Sequence, residues 1–200
     1  MEKQALKRIF EFLEEKEKHR GPFIWKLKND IPLTKEDLKV GGDLDLRRTI
    51  LTSLPEGLEV EGNLNLNDSN ITSLPEGLKV FGYLDLSYSE IISLPEGLEV
   101  GDDLYLHYSK IKSLPEGLIV RGNLYLSYSN ITSLPKGLKV GGYLILGFTK
   151  VSSLPEGLKV GGNLYIDNTP LKKYTNKELR GMIKSGFIKG KIYRTWKKKH

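Results

Sequence analysis

The sequence predicts a β-dominated solenoid: seven coils of 20 residues, stacked so that a parallel sheet of about seven short strands runs along the stack. An α-helical lid is expected at the N-terminus and a helix-plus-strand lid at the C-terminus. Three observations predict this class. First, a unit of the form SLPEGLxVxGxLxLxxSxIx recurs, starting at Ser53, Ser73, Ser93, Ser113, Ser133 and Ser153; a degenerate unit lacking Leu-Pro starts at Leu33. Second, stacking the units aligns apolar columns: Leu38 to Leu158, Val40 to Val160, Leu44 to Leu164, Leu46 to Ile166, Leu51 to Leu171 and Leu54 to Leu154. One coil cannot bury such side chains alone, whereas neighbouring coils bury them for each other at roughly 1.5–3 kcal/mol per aliphatic side chain. Third, Asn123-Leu124-Tyr125-Leu126-Ser127 alternates inward and outward, which is strand patterning.

The elements follow in chain order. Residues 1–32 read as the N-terminal lid. Leu6, Ile9, Phe10 and Leu13 lie at helical spacing on one face. Gly21-Pro22 is expected to stop that helix, and Phe23, Ile24, Trp25 and Leu27 to lie against the first coil. Thr34 and Asp37 form a capping-box pattern, with a short turn at 34–38. Residues 33–174 are the coils. In each, the run represented by Leu118-Ile119-Val120 also alternates, so a second short strand is expected opposite the first. The pairs Gly41-Gly42 and Gly141-Gly142 suit a turn with positive φ, and Leu54-Pro55 suits an extended corner. The column Thr49, Ser69, Ser89, Ser109, Ser129, Thr149 and Thr169 reads as a hydroxyl ladder bonding the backbone of its own or the next coil. Residues 175–200 form the C-terminal lid and a basic tail. Thr175 and Glu178 make a capping box, a helix runs from Asn176 to Ser185 with Gly186 ending it, and Phe187 to Tyr193 reads as a closing strand. All of this is one structural unit.

The chain has no cysteine, which excludes disulfides, thiolate metal sites and a cysteine nucleophile. The N-terminus is charged throughout, without the apolar stretch of a signal peptide, and no apolar run reaches the length of a membrane helix. Cytoplasmic residence and no membrane contact are the expectation. The net charge of +6 is unevenly placed. From Lys172 onward there are eleven Lys or Arg against Glu178 alone, while the rest of the chain has an excess of acids.

Neither phosphate-binding glycine loops nor zinc or calcium motifs occur, and His19, His107 and His200 are far apart in the chain. No catalytic residue, metal, cofactor or small-molecule substrate is therefore expected. Function is sought on the outward strand positions, which the core does not dictate. They carry most of the ten tyrosines. The candidate protein-binding face is Tyr83, Asp85, Asp103, Tyr105, His107, Tyr108, Tyr125, Tyr128, Tyr143 and Tyr165. Tyrosine offers a large contact area with few rotatable bonds. Stacked tyrosines also stabilise neighbouring strands, and the ladder Tyr88, Tyr108, Tyr128, Phe148 is expected to do so. Six aspartates against two arginines make the face repel phosphate. A nucleic acid would instead use the tail: Lys189, Lys191, Arg194, Trp196, Lys197, Lys198 and Lys199, with Tyr193 and Trp196 for stacking. A structural or self-assembling role remains open, since the ends of a stack can pair.

The run Leu64-x-Leu66-x-x-Ser69-x-Ile71 resembles the LxLxxNxL core of leucine-rich repeats. The 20-residue period with Leu54-Pro55-Glu56 resembles the shortest bacterial class, found in secreted effectors, and similar LPEGLxVGGxLxL arrays occur in phage and prophage proteins. The resemblance covers residues 33–175. It implies a leucine-rich-repeat fold and a non-catalytic module that binds or inhibits a host or viral protein, in the host cytoplasm if phage-encoded. Ser or Thr stands where the family has Asn, and no cysteine is present for the ubiquitin-ligase nucleophile that some effectors carry.

Overall fold

Each repeat folds into one coil with two short strands, and successive coils pair in parallel. The structure, a computed structural model, describes residues 21–28 and 31–195. The expected helix around Leu6–Leu13 and the residues Trp196 to Lys199 lie outside them. Among the described residues the fold is a parallel β-solenoid of two eight-stranded sheets. Sheet A runs from Lys39–Val40 to Phe187–Ile188, and sheet B from Leu44–Asp45 to Ile192–Tyr193. The expectation of one main sheet with a subsidiary strand is thus replaced by two equal sheets. Each strand is only two residues long, shorter than the alternating stretch.

Register is in step throughout: Leu124 pairs with Leu104 and Leu144, and Val140 with Val120 and Val160. The two sheets have opposite hydrogen-bond polarity. In sheet A the N–H groups point to the preceding coil, as Gly141 N donates to Val120 O at 2.9 Å. In sheet B they point to the next coil, as Leu124 N donates to Tyr143 O at 2.8 Å. The core is the predicted set of columns; Leu64, Leu84, Leu104, Leu124, Leu144 and Leu164 are all fully buried.

At the N-terminal end, helix α1 (Gly21–Lys28) buries Phe23 and Ile24 in the same cluster, and Lys26 pairs with Asp37 at 2.6 Å. Gly21-Pro22 opens helix α1; the helix it was expected to stop lies outside the described residues. Proline suits the first turn because its missing N–H would be unbonded there anyway. Trp25 points outward and is 43% exposed, contrary to expectation, since the inward side of α1 is taken by Phe23 and Ile24. Thr34 and Asp37 bond reciprocally around the turn at 35–38.

One expectation about the coil is corrected and another is narrowed. Of the glycine pairs, only Gly42 has positive φ (132°); the recurrent left-handed glycine is the one that ends Leu-Pro-Glu-Gly, or Leu-Pro-Lys-Gly in one coil, with φ of 67° at both Gly77 and Gly137. Both glycines of Gly141-Gly142 and of Gly161-Gly162 are needed for close approach instead. A Cβ on Gly142 would lie 2.3 Å from Asn123 Oδ1. The hydroxyl column takes the first of its two expected arrangements, bonding the backbone of its own coil. Ser89, Ser109, Thr149 and Thr169 donate to the carbonyl three residues earlier in their own coil, at 2.6–2.9 Å, and Ser69 and Ser129 have no partner.

At the C-terminal end, helix α2 (Asn176–Met182) starts on the predicted Thr175–Glu178 box but ends before Ser185. Lys184 turns left-handed (φ 41°) and Gly186 N bonds Ile183 O at 2.8 Å. The expected closing strand is two strands split by a turn. Phe187 pairs with Lys159 and Tyr193 with Tyr165, so this segment is an eighth coil at a step of 28 residues. Helix α2 takes the place of the Leu-Pro-Glu-Gly corner.

The two kinds of glycine separate on mutation. Gly161→Ala puts a Cβ 2.0 Å from Gly141 O, whereas Gly137→Ala meets open space but keeps a positive φ of 67°. Gly161→Ala is expected to cost about 1–3 kcal/mol or more and Gly137→Ala about 1 kcal/mol, read as shifts of the urea unfolding midpoint. Equal shifts would contradict the close-approach role.

Candidate functional site

The outer face of sheet B is built from four side-chain columns, and each answers to a local constraint. The first column holds the turn of the next coil. Asp43 Oδ1 accepts from Asn63 N (2.8 Å), Asn63 from Tyr83 N (2.9 Å), Asp103 from Asn123 N (2.6 Å), Asn123 from Tyr143 N (2.6 Å) and Asn163 from Lys191 N (2.9 Å). In the second column Asp45, Asn65 and Asp85 accept from the backbone two residues on. Asp85 and Asp103, expected to meet a partner, thus have structural bonds. Arg47 and Arg48 are paired with Asp45 and Asp68.

The aromatic residues form two connected arrays, one around Tyr105, His107 and Tyr108 and one around Tyr165. In the second column Tyr105 stacks on Tyr125 with centroids 4.5 Å apart, and Tyr165 on Tyr193 at 5.0 Å. Ile145, between them, is buried. Tyr83 meets Tyr105 edge-on at 5.9 Å, and Tyr143 meets Tyr165 at 6.0 Å. In the fourth column Tyr88, Tyr108, Tyr128 and Phe148 stack continuously at 4.8, 4.5 and 4.3 Å. His107 bridges the columns, edge-on to Tyr88, Tyr105 and Tyr108, with Nδ1 3.1 Å from Ser87 Oγ.

The fourth column has an unusual backbone. Tyr88, Tyr108, Tyr128 and Phe148 have φ of 57–59°, the left-handed region. That conformation costs an ordinary residue roughly 1–2 kcal/mol. Asp68 and Asn168, the types that tolerate it best, occupy the same column in other coils. Ring stacking returns about 0.5–1.5 kcal/mol per pair, so the aromatic choice roughly breaks even on stability. The rings nevertheless stay 42–51% exposed.

Burial pushes the Tyr105 phenol well above its usual range, and its hydrogen bond to Asp103 (2.9 Å) acts in the same direction. Burial also raises Tyr125, helped by the Asp103 charge. Burial lowers His107 below its ordinary 6.5, opposed by Asp85.

All ten face candidates lie on this one surface: Tyr83, Asp85, Asp103, Tyr105, His107, Tyr108, Tyr125, Tyr128, Tyr143 and Tyr165. Sequence reasoning missed that Tyr193 extends the tyrosine column. The signal was in Ile188, Gly190, Ile192 and Tyr193, which match Val160, Gly162, Leu164 and Tyr165 at the longer step. The basic candidates are not gathered. Lys189 is on the sheet A side near the Phe187 ring (5.5 Å), Lys191 follows the sheet B turn, and Arg194 donates to Tyr174 O at 2.7 Å. An open groove of about 680 Å³ on the sheet A side, lined by Phe81, Pro115, Ile119 and Arg121, had no counterpart in the sequence reading. Among the described residues no cluster of three or more metal-binding side chains is present, and no helix is long and apolar enough to cross a membrane.

No known family model matches the chain, and no curated protein is significantly similar to it.

The lowered His107 has a pH consequence. The unfolded chain binds its proton at a higher pH than the folded one, so His107 contributes stability that is complete above pH 6.5 and lost as pH falls through the lower folded value. Melting temperature is expected to drop on acidification below 6.5, with a shallower slope in His107→Gln. Identical slopes in the two proteins would remove His107 from this role.

Proposed function

We propose that the protein is a non-catalytic module of the leucine-rich-repeat type whose sheet B face binds another protein. One observation carries the reading: aromatic rings occupy left-handed backbone positions beside a second tyrosine column and remain exposed, where Asn or Asp serves the backbone better. Stability alone gives no reason for that choice. Contact with a partner does, because large rings held by stacking lose little conformational entropy on binding. The leucine-rich-repeat assignment rests on the Leu64, Leu66 and Ile71 columns, all fully buried. The likeness to short phage and prophage arrays supports a host or viral protein as the partner and the host cytoplasm as the setting.

The test is capture of a partner from nuclease-treated lysate of the source cell, followed by affinity measurement. The triple change Tyr105→Ala, Tyr125→Ala, Tyr165→Ala is compared with the unaltered protein and with a control on the opposite face, Phe81→Ser with Ile119→Ser. At matched folding by circular dichroism, the tyrosine variant is expected to lose at least about tenfold in affinity, since a single hot-spot truncation costs roughly 2 kcal/mol. The control is expected to keep its affinity. Binding that survives the triple change and falls steeply with salt would overturn the reading in favour of nucleic acid at the basic C-terminal segment.

A further inference from the structure

A parallel stack has polar ends. In sheet A the Val carbonyl and that of the second turn residue point forward and are taken by the next coil. Val120 O accepts from Gly141 N, Val140 O from Gly161 N and Val160 O from Lys189 N; Gly142 O accepts from Gly162 N and Gly162 O from Gly190 N, all at 2.8–3.0 Å. The eighth coil repeats this geometry, with Ile188 paired to Val160. Its forward carbonyls therefore include Ile188 O and Gly190 O, two of the acceptors that a ninth coil would use.

Arg180 takes both. From helix α2 its Nη1 donates to Ile188 O at 2.5 Å and its Nη2 to Gly190 O at 3.0 Å. Leu179 and Ile183, both buried, anchor the helix on either side of it in sequence. Two acceptors separated by one residue match the rigid fork of a guanidinium, which an ammonium cannot reproduce. We propose that Arg180 is the end stop of the solenoid, and that it keeps a second copy of this chain from adding head-to-tail on sheet A.

A second copy is the fitting occupant because the first coil offers the complementary polarity. By equivalence with Glu61, whose N donates to Val40 O, the N–H of Gly41 faces backward, out of the stack. Neighbouring donors are already diverted: Lys39 N bonds Glu36 O and Gly42 N bonds Val40 O, both at 3.1 Å. At the C-terminal edge of sheet A, Ile188 O and Gly190 O are thus occupied locally, while at the N-terminal edge the Gly41 N–H remains as the backward-facing donor. Unsatisfied strand edges template further pairing, and a head-to-tail contact that does not close on itself grows into a filament. Exposed carbonyls are readily solvated, so loss of Arg180 changes association more than folding.

Arg180→Ala and Arg180→Lys in the full chain are compared with the unaltered protein by sedimentation velocity over a wide concentration range. The unaltered chain is expected to keep a constant mass. Arg180→Ala is expected to show a weight-average mass that rises with concentration to roughly double or more, as open-ended association requires. Adding Gly41→Pro, which removes the backward N–H of the first coil, is expected to reverse the rise. A folded Arg180→Ala variant that stays monomeric, or association indifferent to Gly41→Pro, would overturn the proposal. Should Arg180→Ala fail to fold, Arg180→Lys carries the same mass measurement. In the unaltered protein, Arg180 guanidinium protons are expected to exchange slowly and to show scalar coupling to the Ile188 and Gly190 carbonyl carbons. Fast exchange without coupling would also sink the idea.

Discussion

The structure depends on one close passage repeated along the stack. In five of the sheet-to-sheet turns, those of Gly62, Gly82, Gly122, Gly142 and Gly190, the second glycine runs under the coil before it, where an amide or carboxylate oxygen sits at the place a Cβ would occupy. For Gly142 that oxygen is Asn123 Oδ1, 2.3 Å from the Cβ position, and the same atom accepts the N–H of Tyr143 at 2.6 Å. The glycine makes room for the acceptor, and the acceptor fixes the height of the next turn. Asp43, Asn63, Asp103 and Asn163 do the same above Gly62, Gly82, Gly122 and Gly190. With the turn fixed in height and rotation, each Leu and Val column falls into register and the core closes. Where tyrosine takes the acceptor position the column varies: Asp102 follows Tyr83, whereas glycine is kept after Tyr143, and a Cβ on Gly162 would lie 2.4 Å from the Tyr143 ring.

This constraint also edits the functional surface. The Asp and Asn residues of the face serve the backbone first. Asp103 holds Asn123 through both backbone and side chain and accepts from the Tyr105 hydroxyl, so it orients a ring as well as a turn. The stacked rings turn their faces to one another and present edges and hydroxyls outward. Such a surface is already ordered before any partner arrives, and a contact to it does not have to immobilise the rings.

Much of this was legible in the sequence because a strict period leaves few ways to arrange apolar columns. The buried sets, the two-sided coil, the Thr175–Glu178 box and the tyrosine face all follow from spacing. What stayed hidden depends on geometry that spacing does not encode. Two glycine columns look alike in sequence, yet Gly137 is left-handed and Gly142 is crowded. Trp25 and Ile24 are adjacent and both apolar, but only one side of α1 meets the first coil. The eighth coil escaped because its step is 28 residues, with α2 inserted in place of a corner. Arg180 looked like one more charge in a basic tail, since nothing in a sequence shows which carbonyls are left over at the end of a stack.

Recognising the eighth coil changes how the face ends. The second column begins with Asp45, Asn65 and Asp85, passes to Tyr105 and Tyr125, and continues through Tyr165 to Tyr193, while Lys191 closes the first column. Acidic and amide groups lie at one end, aromatic rings in the middle, and a cation with further rings at the other. Those acids are partly neutralised, Asp45 by Arg47 and Asp68 by Arg48. The strongest unspent chemistry is therefore in the later coils. There Ile145 is buried, Gly147 has no side chain, and Tyr143, exposed at the turn, meets Tyr165. A partner that reads this gradient has a defined direction along the stack as well as a place to sit, because reversing it would set the apolar part of the partner against the carboxylates and amides of the first coils. Directional docking of this kind needs a face of fixed length, and a stack that stops at its eighth coil provides one.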